Sequence, residues 1–182
     1  MAESVEKIYS TALFQLCAEE NMLDIVFGEL NDTADILSLP EYKYFCELLA
    51  SPLISGTDKT KALKSVFEGK ISNLSLDFLC VLTEKGRIRY LTAVQNEFRS
   101  MYYEERGIME VEAITSRSLS DALRNKLVNK LQSVSGKKIL LTETVDRSIL
   151  GGIVLKYGNN EIDSSVKSQL DRLKASIDNV IA

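Results

Sequence analysis

The chain has 182 residues, with 22 Lys and Arg against 26 Asp and Glu, no histidine, no tryptophan, three cysteines and two prolines. Its composition is that of an ordinary globular protein, and its length suits one domain or two small ones. A net charge of -4 argues against a nucleic-acid binder, and without histidine the chain lacks the commonest general base and metal ligand. We therefore expect no catalytic residues, no cofactor and no metal site.

The N-terminus and the cysteines both indicate a cytosolic protein. Residues 1–6 are acidic and lack the apolar core or Arg-rich pattern of a targeting segment. Cys17, Cys46 and Cys80 are odd in number and widely separated, which favours buried, reduced thiols over a disulfide framework or zinc site. No run approaches the ~20 apolar residues of a membrane helix. We expect a cytosolic protein that can dock on a membrane complex.

Six amphipathic helices are predicted in the first hundred or so residues. In the first helix, apolar residues recur every three or four positions, at Val5, Ile8, Tyr9, Ala12, Leu13 and Leu16. The same period predicts further helices over residues 23–37, 40–49, 57–67, 74–85 and 88–102. Thr57 or Asp58 can cap the fourth helix, and Gly86 ends the fifth. Short helices with brief connections predict an antiparallel bundle.

The pattern changes near residue 106. Residues 109–113 alternate apolar and charged side chains, which indicates a half-buried strand. Ser120 can cap a helix that Gly136 closes, and the core face predicted for this helix is Leu123, Leu127, Leu131 and Val134. Residues 138–142 and 153–157 are β-branched or apolar runs that predict two further strands.

A turn and a last helix complete the predicted fold. Gly158, Asn159 and Asn160 are typical turn residues, and Asp163 or Ser164 can cap a helix whose apolar positions are Val166, Leu170, Leu173, Ile177 and Val180. The predicted class is mainly α, with a six-helix antiparallel bundle over 1–106 and a small β-α-β-β-α domain over 107–182. The second domain is small enough to have a limited core of its own.

The polar residues form no recognisable catalytic or phosphate-binding motif. Gly151 and Gly152 do not fit a dinucleotide-binding pattern, and indicate instead a strand start or bulge with unusual backbone angles. Asp146 has the setting of a turn residue that bonds its own backbone. An enzyme using carboxylates is the rival interpretation, and it requires a pocket in which Asp146, Glu143 or Asp163 converges with other polar groups.

The first and fifth predicted helices carry more apolar residues than one core face needs. Phe14, Cys17 and Ala18 form a second stripe on the first helix, and residues 74–82 are apolar almost all round. Either both helices are central in the bundle, or a groove between them accepts an amphipathic helix of another protein. The basic residues Arg117, Arg124, Lys126, Lys130, Lys137 and Lys138 form a solvated face or meet acidic partner helices.

Several short motifs, in order along the chain, resemble the delta subunit of bacterial F-type ATP synthases, a relative of the mitochondrial oligomycin-sensitivity-conferring protein. They are Tyr-x-x-Ala-x-Phe at residues 9–14, Ser-Pro-Leu-Ile at 51–54 followed by Lys59, Glu-x-Gly-Arg at 84–87, and the family's signature stretch at 145–158. Residues 162–166 follow where the family commonly has Asp-Gly-Ser, with Ser164 in place of glycine.

The resemblance implies a non-catalytic subunit of the peripheral stalk, present once per complex on the cytoplasmic side of the cell membrane. Its role would be to couple proton-driven rotation to ATP synthesis. The bundle, 1–106, is expected to bind N-terminal segments of the alpha subunits, and 107–182 to bind the C-terminal ends of the b subunits. No cofactor, small-molecule substrate or nucleic acid is implied. The alternative is a cytosolic helical adaptor for an unrelated amphipathic peptide.

The resemblance also implies where partners bind. An alpha-subunit helix would lie between the first and fifth helices, in a groove lined or underlain by Tyr9, Phe14, Cys17, Phe78, Leu79 and Leu82. Asp146, Gly151, Gly152 and Asp163 belong to the family's signature and are expected to be structural.

Overall fold

Six α-helices form the first part of the chain in the computed structural model, which describes residues 4–172. They are α1 (Val5–Glu19), α2 (Leu23–Ser38), α3 (Lys43–Ala50), α4 (Gly56–Phe67), α5 (Asn73–Glu84) and α6 (Leu91–Glu105). Short 3-10 turns, Pro40–Tyr42 and Ile88–Tyr90, lead into α3 and α6. The six predicted helices are therefore confirmed.

One cluster of buried side chains holds these helices together. Each helix contributes to it, through Leu13, Cys17, Val26, Leu30, Leu49, Leu63, Phe67, Leu76, Leu79, Leu82, Leu91 and Phe98. Fully burying one such leucine or phenylalanine contributes about 1.5–3 kcal/mol. Because α5 contributes more of these side chains than any other helix, it lies at the centre of the core.

The predicted core face of α1 is wrong, because the face that is buried is rotated from it by part of a helical turn. Ile8 is 51% exposed and Leu16 48% exposed, whereas Ser10, Leu13 and Cys17 are buried. The buried face includes a serine whose hydroxyl donates to the Lys7 carbonyl, 3.1 Å away. A serine whose hydroxyl bonds a backbone carbonyl of its own helix can be buried, but a hydrophobic pattern does not count it. The pattern therefore assigned the neighbouring side of α1, with Ile8 and Leu16, to the core. An apolar side of α1 is consequently left exposed.

The caps of α4 and α5 are both serines. The Ser55 hydroxyl oxygen accepts from the Asp58 amide at 3.2 Å, so the predicted caps Thr57 and Asp58 are wrong. The pattern missed Ser55 because Gly56 follows it, and glycine is a poor helix former that is nevertheless tolerated in the first turn. At the other end of α5, Gly86 has a φ of 66°, which confirms the predicted stop.

The N-terminus of α5 is also fastened to α2 by one carboxylate. Glu29 of α2 accepts from the Ser72 amide at 2.7 Å, the Ser72 hydroxyl at 2.6 Å and the Ser75 hydroxyl at 2.5 Å. An anion at a helix N-terminus satisfies amides that have no partner within the helix and interacts favourably with the helix dipole. This contact fixes where α5 starts relative to α2.

The chain divides into two units, Met1–Tyr102 and Tyr103–Ala182, and the second contains a four-stranded sheet. Its elements are β1 (Ile108–Thr115), α7 (Asp121–Ser135), β2 (Lys138–Val145), β3 (Ile153–Tyr157) and β4 (Asn160–Asp163). The strand order is β2-β1-β3-β4, with β1 and β2 parallel and the other pairs antiparallel. Residues 166–172 are helical. The predicted class, a helical bundle followed by a small α/β unit, is confirmed.

The strand β4 was not predicted from the sequence, since its first residue was expected in a turn and its last at a helix cap. Tyr157 pairs with Asn160, so the connection is the two-residue turn Gly158-Asn159. Asn, Glu and Asp are depleted in strands, and β4 carries all three. It therefore forms by pairing with β3, which its own sequence does not signal.

Both predicted caps of α7, Ser120 and Gly136, are confirmed. Of the four core residues predicted for this helix, two face the core and two do not. Leu127, Val128 and Leu131 pack against a small sheet core of Val111, Ala113, Ile139 and Leu155. The predicted core residues Leu123 and Val134 are instead 55% and 75% exposed. The helix is longer than the patch it covers, so its apolar ends reach beyond the core.

The last helix begins after Ser165. The Ser165 hydroxyl oxygen accepts from the Ser168 amide at 3.2 Å, so the predicted caps Asp163 and Ser164 precede the true one. The predicted positions Leu173, Ile177 and Val180 lie outside the described residues. None of the helices in residues 4–172 combines the length and the hydropathy needed to cross a membrane.

Replacing Glu29 by alanine should lower the free energy of unfolding of the helical unit by about 1–3 kcal/mol, because an amide and two hydroxyls lose their acceptor. Hydrogen exchange at the α5 amides in the full chain measures this. The control is Glu19→Ala, which removes an exposed carboxylate and should leave α5 exchange unchanged. Equal exchange in both variants would show that the carboxylate does not hold α5.

Candidate partner-binding site

An aromatic contact joins α1 and α5 at the surface of the helical unit. The rings of Tyr9 and Phe78 meet edge to face, with centroids 6.4 Å apart and an angle of 66°. Arg87, just after α5, donates from Nη1 to the Tyr9 hydroxyl at 2.9 Å, and its guanidinium lies 5.3 Å from the same ring. Tyr9 and Phe78 were predicted to share one groove, and the structure brings them into contact.

Apolar side chains that are exposed or half-buried lie beside this contact on both helices. On α1 they are Ile8, Ala12 and Leu16, spaced four residues apart, so they share one side of the helix. On α5, Leu74, Phe78 and Val81 also share one side. Val81 is 43% exposed, whereas Leu74 and Phe78 are half-buried and pack against the core. We call these six residues with Tyr9 the α1–α5 surface.

Three of the predicted groove residues lie beneath this surface and not on it. Cys17, Leu79 and Leu82 are fully buried in the core. Burial, with a smaller contribution from the negative charge of Glu29, raises the pKa of the Cys17 thiol to about 11. The thiol is therefore protonated near neutral pH and behaves as a small apolar side chain. All three residues belong to the buried cluster that holds the bundle together.

Phe14 is placed apart from the other predicted groove residues. Its ring contacts Phe98 of α6 edge to face, with centroids 5.7 Å apart. Five positions along a helix correspond to a rotation of about 140°, so Phe14 and Tyr9 lie on opposite flanks of the buried face of α1. The exposed residues Ile8, Leu16 and Val81 were not predicted to line the groove. Ile8 and Leu16 were assigned to the core face of the first helix, because periodicity finds an apolar stripe without telling whether it faces the core.

In the second unit, two of the signature residues are aspartates that bond the backbone two residues ahead. Asp146 Oδ1 accepts from the Ser148 amide at 2.8 Å, in the turn after β2, and Asp163 Oδ1 accepts from the Ser165 amide at 2.8 Å. Hydrogen bonds from the hydroxyl and amide of Ser148 lower the pKa of Asp146, and those from the amide and hydroxyl of Ser165 lower the pKa of Asp163. Both carboxylates therefore stabilise turns.

The two signature glycines hold the start of the last helix against β3. The Gly151 carbonyl accepts from the Val166 amide at 2.9 Å. Gly152 has a φ of 88°, and a Cβ there would lie 2.5 Å from the Ser164 carbonyl oxygen. Only glycine fits both the backbone angle and the space. The unusual backbone angle expected for this pair is found at Gly152.

The three carboxylates named by the carboxylate-enzyme interpretation do not converge at the cavity beside α7. A cavity of about 760 Å³ opens beside α7, and Asp146, Glu143 and Asp163 are all absent from its lining. Glu143 instead forms an ion pair with Arg124 at 2.8 Å. In residues 4–172, no group of three or more Cys, Asp or Glu side chains is arranged to hold a metal ion. The convergence that the carboxylate-enzyme interpretation requires is not found at this cavity.

A helical unit with an apolar surface, followed by a small α/β unit in which Asp146 and Asp163 cap turns and Glu143 forms an ion pair, is typical of a binding protein. The sequence pattern of the ATP synthase delta (OSCP) subunit family matches residues 5–177. The chain belongs to this family. It is therefore a non-catalytic component of the peripheral stalk of ATP synthase, the complex that carries out ATP synthesis and proton transport.

Individual relatives match along nearly the whole chain. The ATP synthase subunit delta of Clostridioides difficile strain 630 is 32% identical over 182 residues, which is 100% of both chains. That of Clostridium perfringens strain SM101 is 34% identical over 174 residues, or 96% of each chain. The fold also resembles a chain in the mitochondrial ATP synthase hexamer of Toxoplasma gondii, with a TM-score of 0.76 and 24% identity over 96% of this chain and 98% of that one.

Replacing Gly152 by alanine should destabilise the second unit by about 1–3 kcal/mol more than replacing Gly158. Both glycines have a positive φ, 88° and 54°, so alanine strains the backbone at either position. Only at Gly152 does the added Cβ also meet the Ser164 carbonyl, since a Cβ at Gly158 would have no described atom within 4 Å. Hydrogen exchange at the β3 amides in the full chain measures the difference, and equal effects would contradict the close packing.

Proposed function

We propose that this chain fastens the catalytic head of an F-type ATP synthase to the membrane-anchored b subunits. Residues 1–106, which include the six helices of the bundle, bind N-terminal segments of the alpha subunits. Residues 107–182, which include the sheet and α7, bind the C-terminal ends of the b subunits. One copy, on the cytoplasmic side of the cell membrane, stops the head from turning with the rotor, so that proton-driven rotation is coupled to ATP synthesis.

The α1–α5 surface is the observation that carries this proposal. Its apolar residues lie on two neighbouring helices that the Tyr9–Phe78 contact joins, which suits an amphipathic helix laid along them. Ile8, Leu16 and Val81 are each about half exposed, so covering them removes apolar area that the isolated chain leaves in water. We assign this surface to an alpha-subunit N-terminal helix.

The buried residues beneath the surface contribute indirectly. Cys17, Leu79 and Leu82 hold α1 and α5 at their spacing, and Phe14 fastens α1 to α6. Substituting any of them changes the fold before it changes the contact with the partner. Exposed positions therefore give the cleaner test of alpha-subunit binding.

Torque transmission by such a protein needs attachment and no chemistry. A nanomolar contact corresponds to about -12 kcal/mol. Two units that grip one assembly make the second attachment intramolecular, which lengthens the residence time beyond that of either contact alone. The chain then transmits torque by staying bound and folded.

The double substitution Ile8→Asp with Val81→Asp should raise the Kd for an alpha-subunit N-terminal peptide by about tenfold or more, since a charge then lies where apolar area is covered. Isothermal titration of the full chain measures it, and circular dichroism shows whether the helices persist. Both side chains are about half exposed, so the fold is expected to tolerate the change.

A matched control is Leu53→Asp with Tyr44→Asp. These two apolar residues are 94% and 83% exposed, in or beside α3, and the charge change is the same. The Kd of this control variant for the alpha-subunit peptide should stay within about twofold of the Kd of the unaltered chain. Unchanged affinity in the Ile8 and Val81 variant, or equal loss in the control, would contradict the assignment of the surface.

A further inference from the structure

The charged side chains that line the cavity beside α7 are all positive. Three of its side chains are cationic and, within residues 4–172, the lining includes no acidic residue, in a protein whose net charge is -4. The cations are Arg117, Lys126 and Lys130, all exposed. No ion pair formed within the described part of the chain involves any of them, whereas Arg124, also on α7, is paired with Glu143 outside the lining. The positive charge at the cavity is therefore available to a partner.

Leucines accompany the three cations. Leu123 and Leu150 are 55% and 81% exposed at the cavity, and Leu119 and Leu127 are half-buried deeper in its wall. On α7, Leu123 and Leu127 are one turn apart, and so are Lys126 and Lys130. The helix thus presents an apolar row beside a cationic row of the same spacing. A ligand that matches both rows is amphipathic and anionic.

We propose that this cavity binds an acidic, leucine-bearing helix at the C-terminal end of a b subunit. The proposal rests on the function proposed above and specifies the site and its chemistry. Two carboxylates one helical turn apart reach Lys126 and Lys130, because neighbouring turns on both helices have the same spacing. Apolar residues of the same helix cover Leu123 and Leu150, which otherwise remain in water. The charges orient the helix, and the leucines supply most of the affinity.

The test is a charge reversal, Lys126→Glu with Lys130→Glu, in the full chain. Binding of a synthetic peptide with the sequence of the C-terminal end of the b subunit should weaken by about tenfold or more, and its dependence on salt should become shallower. The matched control, Lys137→Glu with Lys138→Glu, makes the same change in charge at exposed lysines outside the lining. It should change the Kd by no more than about twofold, since its charges lie outside the contact.

The outcomes separate this proposal from the one on which it rests. Equal weakening by the test and control variants, or none by either, would overturn the cavity assignment while b-subunit binding itself stands. Failure of the unaltered chain to bind the b-subunit peptide would instead overturn the proposed function. Retention of the chain by phosphatidylglycerol vesicles, lost in the test variant while peptide binding is kept, would identify a membrane surface as the occupant and overturn the proposal.

Discussion

The packing of α1 against α5 is the constraint on which the binding properties of the helical unit depend. Cys17, Leu79 and Leu82 are fully buried beneath the two helices, and the Tyr9–Phe78 contact joins them at the surface. This leaves Ile8 and Leu16 of α1 and Val81 of α5 exposed to water. Such exposure is costly for an isolated protein and favourable for one that is bound for most of its life. The same packing therefore explains both the stability of the bundle and the place of its proposed partner.

The two units achieve rigidity by different means. The bundle has a core drawn from six helices, with the Glu29 carboxylate fixing the start of α5. The second unit has a small core and depends more on backbone pairing, turn-capping aspartates and the close approach at Gly152. In both units carboxylates stabilise helix starts and turns, Glu29 at α5 and Asp146 and Asp163 in the second unit.

Much of the fold follows from local sequence signals. The helices, β1, Ser120 and Gly136 were predicted because periodicity and capping act over a few residues. The side of α1 that faces the core could not be predicted, since Ser10 is buried and Ile8 is exposed. The strand β4 could not be predicted either, because it forms by pairing with β3 although its residues have low strand propensity. The surplus apolar residues of the first and fifth helices indicated the proposed groove, and the basic residues near α7 were also recognised from the sequence. Which groove residues are exposed, and that Arg117, Lys126 and Lys130 line one cavity, required three-dimensional structure.

In the function proposed here, the chain acts as a passive tether under load. The most direct measurement compares ATP synthase reconstituted in vesicles with and without this chain. Without it, ATP hydrolysis by the head should persist while ATP synthesis driven by a proton gradient is lost, and adding the purified chain back should restore synthesis. Full synthesis in its absence would contradict the account.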